Sequence, residues 1–145
     1  MSYYRQLLFR ILQVLGARDY GEQAIRDAVS VYRETVKQYW EKIAASEESR
    51  GLEQFYRHFF APAEGFEYHT VQVTPNRLEV YVTRCLLAEE LRAMGCAQIG
   101  EQFYCETDLV RITTFNPRFR LERTHLLMRG DDRCVFVLTD PGCGS

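Results

Sequence analysis

No Cys-x-x-Cys pair occurs in the 145 residues, so ready-made zinc ribbons and dithiol redox motifs are excluded. The three histidines, His58, His69 and His125, show no paired ligand spacing such as His-x-x-x-His. No run approaches the ~18 apolar residues of a membrane span. The N-terminal stretch MSYYRQLLFRILQVLG mixes charge into its apolar residues and lacks a small-residue cleavage site, so it does not read as an export signal. A basic excess is also missing. The formal net charge is −2, which argues against a nucleic-acid footprint. Internal repeats and low-complexity stretches are absent as well. The expectation is a cytoplasmic protein with a small-molecule partner, no nucleic acid and no membrane, a homo-oligomer being left open.

Nine Tyr, nine Phe and Trp40 supply large apolar units for a core. At this length one domain, 1–145, is expected, large enough to need no covalent staple. The five cysteines (Cys85, Cys96, Cys105, Cys134, Cys143) are odd in number and widely spaced. That argues against a disulfide framework and for reduced thiols, each buried or chemically used.

The pattern divides at Gly65. Residues 1–62 read as helices. Leu7, Leu8, Ile11, Leu12 and Leu15 recur at helical spacing, and Gly16 ends that turn. Asp19 is a candidate cap for a second helix striped by Ala24, Ala28, Val31, Thr35, Tyr39, Trp40 and Ile43. Leu52, Phe55, Tyr56, Phe59 and Phe60 make a third, closed by Pro62. Residues 65–140 read as ββααββ. Phe66 to Thr74 and Leu78 to Val82 alternate with period two around Pro75-Asn76. In the first of these, Val71 and Val73 form the apolar face opposite Tyr68, Thr70, Gln72 and Thr74. Helical spacing returns at Leu87, Leu91 and Met94, and again from Ala97 to about Thr113. A second hairpin closes the chain, with Gly130-Asp131-Asp132 as its turn, and the last five residues are expected to be loose. The fold class is α+β: an antiparallel sheet of about four strands in two hairpins, with the N-terminal and central helices on one face. The polar strand face either lines a ligand cavity or meets water.

Four residues carry the candidate chemistry. Cys105 and Asp108, three apart on a helix, project together. The carboxylate raises the thiol pKa, so Asp108 makes more sense as a proton acceptor or a holder of a base or amine. Cys85 stands just before a helix, where the dipole and free N–H groups favour a thiolate, making it the best candidate for a lowered pKa. Cys134 follows the second turn. An ordinary buried Cys beside a surface Asp is the plainer alternative for Cys105 and Asp108. A hydrogen-bonded surface residue is the plainer one for His125, and a solvated sheet surface for Arg118, Arg120 and Arg123. Cys85, Cys105 and Cys134 also have the makings of a three-thiolate zinc site, with Asp108, Glu106 or a His as fourth ligand.

Cys85, the helix Ala88-Glu89-Glu90-Leu91-Arg92-Ala93-Met94-Gly95, and Cys105-Glu106-Thr107-Asp108 resemble one block of the L-2-amino-thiazoline-4-carboxylic acid hydrolase family. Phe115-Asn116-Pro117, Leu121-Glu122-Arg123-Thr124 and Gly130-Asp131-Asp132-Arg133-Cys134-Val135-Phe136 resemble the next, so the likeness covers roughly residues 78–138. The resemblance implies hydrolytic opening of a thiazoline ring to an N-carbamoyl cysteine. It carries over Cys85, Cys105, Asp108, Arg123, Thr124 and Cys134. A thiolate, Cys105 or Cys85, would attack C2 of the ring. Asp108 would bind the ring amino group or move a proton, and Arg123 would hold the carboxylate. Asn116 and His125 complete the candidate substrate-binding set. The cofactor expectation is none, or zinc activating a water. The Gly-Asp-x-x-Cys-x-Phe ending also resembles vinyl-reductase-type sensor domains, whose further Cys eight residues earlier is Leu126 here. That leaves a non-catalytic small-molecule or metal-binding module as the alternative.

Overall fold

The computed structural model describes residues 3–18 and 21–143. Three helices lead: α1 (Tyr3–Gly16), α2 (Gly21–Ser46) and α3 (Leu52–Phe59). The hairpin β1 (Phe66–Val73) and β2 (Arg77–Cys85) follows, then α4 (Leu86–Ala93), α5 (Ala97–Gly100) and α6 (Thr107–Phe115), then β3 (Arg120–Glu122) and β4 (Cys134–Thr139). The sheet order is β1-β2-β4-β3, antiparallel throughout. The two expected hairpins are therefore joined edge to edge by β2 and β4, where Val80 stands opposite Phe136 and Val82 opposite Cys134. The expected Asp19 cap lies outside the described residues, as do the last two of the expected loose tail.

Packing buried only part of the helix stripes that the spacing suggested. On α1 the buried residues are Phe9 and Leu12, while Leu7, Leu8 and Ile11 are exposed. On α2 the buried line runs through Ile25, Val29, Trp40 and Ala44, with Tyr32 and Val36 half-buried between them. Val31 and Tyr39 of the expected stripe are 67% and 63% exposed. Leu12 and Trp40 of the expected stripes are buried and Ala24, Ala28 and Ile43 half-buried, so each buried face overlaps the expected one and is rotated from it, toward Phe9 on α1 and toward Ile25 and Val29 on α2. In β1, register shifts between Glu67 and Tyr68 and between Thr70 and Gln72 turn Phe66, Tyr68 and Thr70 partly inward, leaving Val71 and Val73 exposed.

The expected single helix after Ala97 is interrupted. Residues Glu101–Cys105 form a π-helical turn, and the Glu106 N–H donates to the Glu101 carbonyl at 2.9 Å. Gly100 opens this turn at a crowded point of the chain. A Cβ there would lie 2.6 Å from Leu91 Cδ1 and 3.2 Å from Met128 Sδ. Single π turns of this kind often serve to aim side chains.

The core has two parts. One packs α3, α6 and the C-terminal half of α2 on the inner sheet face, with Phe55 ringed by Trp40, Phe59, Phe115 and Phe119. The other packs α1, the N-terminal half of α2, α4 and the π turn around Phe9, Leu91 and Phe103. Cys85, Cys105 and Leu127 pack against both. On the outer sheet face, Arg77 and the Tyr81 hydroxyl both donate to Glu79, at 2.9 and 2.7 Å. The polar strand face thus pairs with itself.

Candidate active site

A cavity of about 380 Å³ opens at the seam between the two cores, on the helical side of the sheet. Trp40, Phe59, Phe60, Phe66, Tyr68 and Phe136 give it an aromatic wall. Cys85, Cys105, Asp108 and Cys134 all line it, together with Tyr32, His58, Tyr104 and Arg111. Three chain segments distant in sequence therefore deliver three thiols and a carboxylate to one space. The volume suits one small ring compound, near the lower end of ordinary ligand cavities at roughly 300–1,000 Å³.

Cys85 ends β2 and caps α4, where its Sγ accepts the Ala88 N–H at 3.4 Å. The helix N-terminus is in place, yet the expected lowering does not follow. Burial pushes the Cys85 thiol up, and it outweighs the N–H groups of Ala88 and Leu87 that favour the thiolate. Cys134 opens β4, and its Sγ accepts the Leu127 N–H at 3.3 Å. Burial pushes it up to about 11. Cys105 closes the π turn. Burial raises it furthest, and the Asp108 charge adds to that, as the three-residue spacing predicts. All three thiols rest protonated at neutral pH.

Asp108 sits in the first turn of α6 with its side chain 15% exposed. One carboxylate oxygen accepts from Arg111 Nη1 at 3.1 Å, the other from Arg123 Nη1 at 3.0 Å. Burial pushes this carboxyl up to about 6, against the two guanidiniums that hold it down. Such a group changes protonation near neutral pH, as acid–base chemistry requires. Arg111 also donates to the Tyr32 hydroxyl at 3.2 Å. Arg123 stands 5.5 Å from the centre of the Phe136 ring. It is not a cavity-lining residue, and its half-buried side chain, 13% exposed, is not part of a solvated sheet surface.

The rest of the sequence-based substrate set lies elsewhere. Thr124 and His125 are exposed and hydrogen-bond each other at 2.8 Å. Asn116 is buried but structural: its amide donates to the Arg50 carbonyl and its oxygen accepts the Arg118 N–H. Sequence reading missed Tyr32, Tyr104, Arg111 and the aromatic wall as site residues. Only Arg111, three residues from Asp108 on the same helix, left a visible signal. His58 lines the cavity and is hydrogen-bonded to Glu47 at 2.6 Å.

Among the described residues no three His, Cys, Asp or Glu side chains come together as metal ligands do. Asp108 is committed to two guanidiniums, and Glu106 turns away to Arg33 at 2.9 Å. Both carboxylates that the sequence offered as a fourth zinc ligand are thus engaged by arginines. No helix among the described residues is long and apolar enough to cross a membrane.

Compared with known proteins, residues 2–138 match the family model described as L-2-amino-thiazoline-4-carboxylic acid hydrolase. The match takes in the N-terminal helices as well as the blocks whose residues resemble that family. No curated protein and no solved structure gives a significant match.

Proposed function

The chain belongs to the L-2-amino-thiazoline-4-carboxylic acid hydrolase family, and from that membership we propose that it hydrolyses a small cyclic amidine-type compound within this cavity. Asp108 carries the proposal. It is the one carboxylate among the residues lining the cavity, is oriented by two arginines, and titrates near 6. Above that pH it accepts a proton from water as the water oxygen adds to the ring carbon between nitrogen and sulfur. The ring C–S bond then breaks. The water oxygen becomes the carbonyl oxygen, and its two protons end on the ring nitrogen and the ring sulfur.

Direct attack by Cys105 is the second route. It requires a thiolate that burial and Asp108 both oppose in the free protein. A protonated ring amidine beside the thiol would offset this, because a nearby positive charge favours the thiolate. Either route is tested by turnover of 2-amino-thiazoline-4-carboxylate in Asp108→Asn, Cys105→Ser, Cys85→Ser and Cys134→Ser. Loss in Asp108→Asn alone selects the water route. Loss in one Cys variant as well selects that thiol as nucleophile. Rates unchanged in all four would remove these residues from the chemistry, and no turnover by the unaltered chain would sink the hydrolase reading.

A non-catalytic binding module is the alternative, favoured by the aromatic wall and the protonated thiols. It predicts a saturable ligand recovered unchanged after long incubation.

A further inference from the structure

The half-buried charges around the cavity do not balance. Arg111 and Arg123 face a single carboxylate, Asp108, and no other acid is among the residues lining the cavity. Whether Asp108 is ionised or not, the trio keeps at least one positive charge, and uncompensated buried charge is costly. The two arginines are not equivalent. Arg123 lies outside the lining, with Asp108 on one side and the Phe136 ring on another. Arg111 lines the cavity, is 17% exposed, and has a phenolic hydroxyl beside it at 3.2 Å. A guanidinium has five N–H donors in a planar fork that suits a carboxylate. Two of them go to Asp108 and Tyr32 among the described residues, which leaves donors for a ligand.

We infer that Arg111, with the Tyr32 hydroxyl alongside, is the anion subsite of the cavity and selects ligands bearing a carboxylate on a small ring. Arg123, the arginine that the sequence pattern suggested for this task, is a positioning residue that holds Asp108. The inference takes its ligand class from the hydrolase reading, but its test needs no turnover.

The probes are thiazole-4-carboxylate, which the reaction cannot open, and its neutral counterpart thiazole-4-carboxamide, titrated calorimetrically into the full chain. The carboxylate saturates, and the carboxamide binds on the order of 100-fold more weakly. Arg111→Gln removes this difference, Arg111→Lys keeps only part of it, Tyr32→Phe reduces it several-fold, and Arg123→Gln retains it. Should Arg111→Gln fail to fold, Arg111→Lys and Tyr32→Phe decide. Equal affinities for the two probes would overturn the inference, as would no binding of either below ~10 mM. So would a preference that survives in Arg111→Gln or disappears in Arg123→Gln. Carboxylate preference without turnover of any thiazoline would leave the subsite standing and remove the hydrolase reading.

Discussion

Arg123 Nη1 lies 3.0 Å from Asp108 Oδ2 across fifteen residues of sequence, tying the segment after β3 to the first turn of α6. This contact fixes the second carboxylate oxygen, while Arg111, on the same helix as Asp108, fixes the first. It is the reason that one acid, in a cavity otherwise lined by neutral and cationic groups, has a defined orientation.

Asp108→Asn is expected to lower kcat by roughly 10²–10⁴, the range that positioned acid–base groups contribute. Binding of thiazole-4-carboxylate should persist. Steady-state kinetics beside calorimetry checks this. Retained turnover would remove Asp108 from the chemistry.

Activity should rise with pH through an apparent pKa near 6 and level off above it, because the ionised carboxyl is the proton acceptor. Arg123→Gln removes a charge that holds this value down, so its limb should move to higher pH. Stability runs the other way. The folded-state value lies above the ordinary carboxyl value of 3.8, so the stability from this group is full below about pH 4 and lost as pH rises through 6. A pH–rate profile with no limb between pH 5 and 7 would contradict the assignment.

The cavity thiols should resist alkylation. Burial raises Cys85, Cys105 and Cys134, so iodoacetamide labelling mapped by mass spectrometry should be slow at pH 7 and accelerate only in alkaline solution. Rapid labelling of any of the three below pH 7 would show an activated thiolate and favour covalent catalysis.

Gly21→Ala should destabilise the fold by about 2 kcal/mol or more, as overpacking against rigid groups does. An added Cβ would fall 1.5 Å from the Leu15 carbonyl oxygen, which is backbone and has no rotamer to yield. Val31→Ser on the exposed face of α2 should cost less than about 0.5 kcal/mol. Thermal or urea melts distinguish the two, and similar midpoints would mean that α1 does not approach α2 as closely as described.

The sequence by itself determined the class and order of elements. The switch from period 3.6 to period 2 at Gly65, the Pro75-Asn76 turn and the Gly130-Asp131 turn are local signals, and local signals survive in one dimension. It also singled out Cys85, Cys105, Asp108 and Cys134, and these four line one cavity. Only the tertiary structure decided which part of each helical stripe is buried, since the apolar residues of α1 and α2 spread beyond the face that packs. It overrode the local helix-dipole argument at Cys85, because burial is set by everything packed around a group and not by its neighbours in sequence. It placed Thr124, His125 and Asn116 outside the lining of that cavity and brought in Tyr32, from a helix 79 residues before its partner Arg111. Charge balance inside a cavity is a property of the assembled walls, and no stretch of this chain displays it alone.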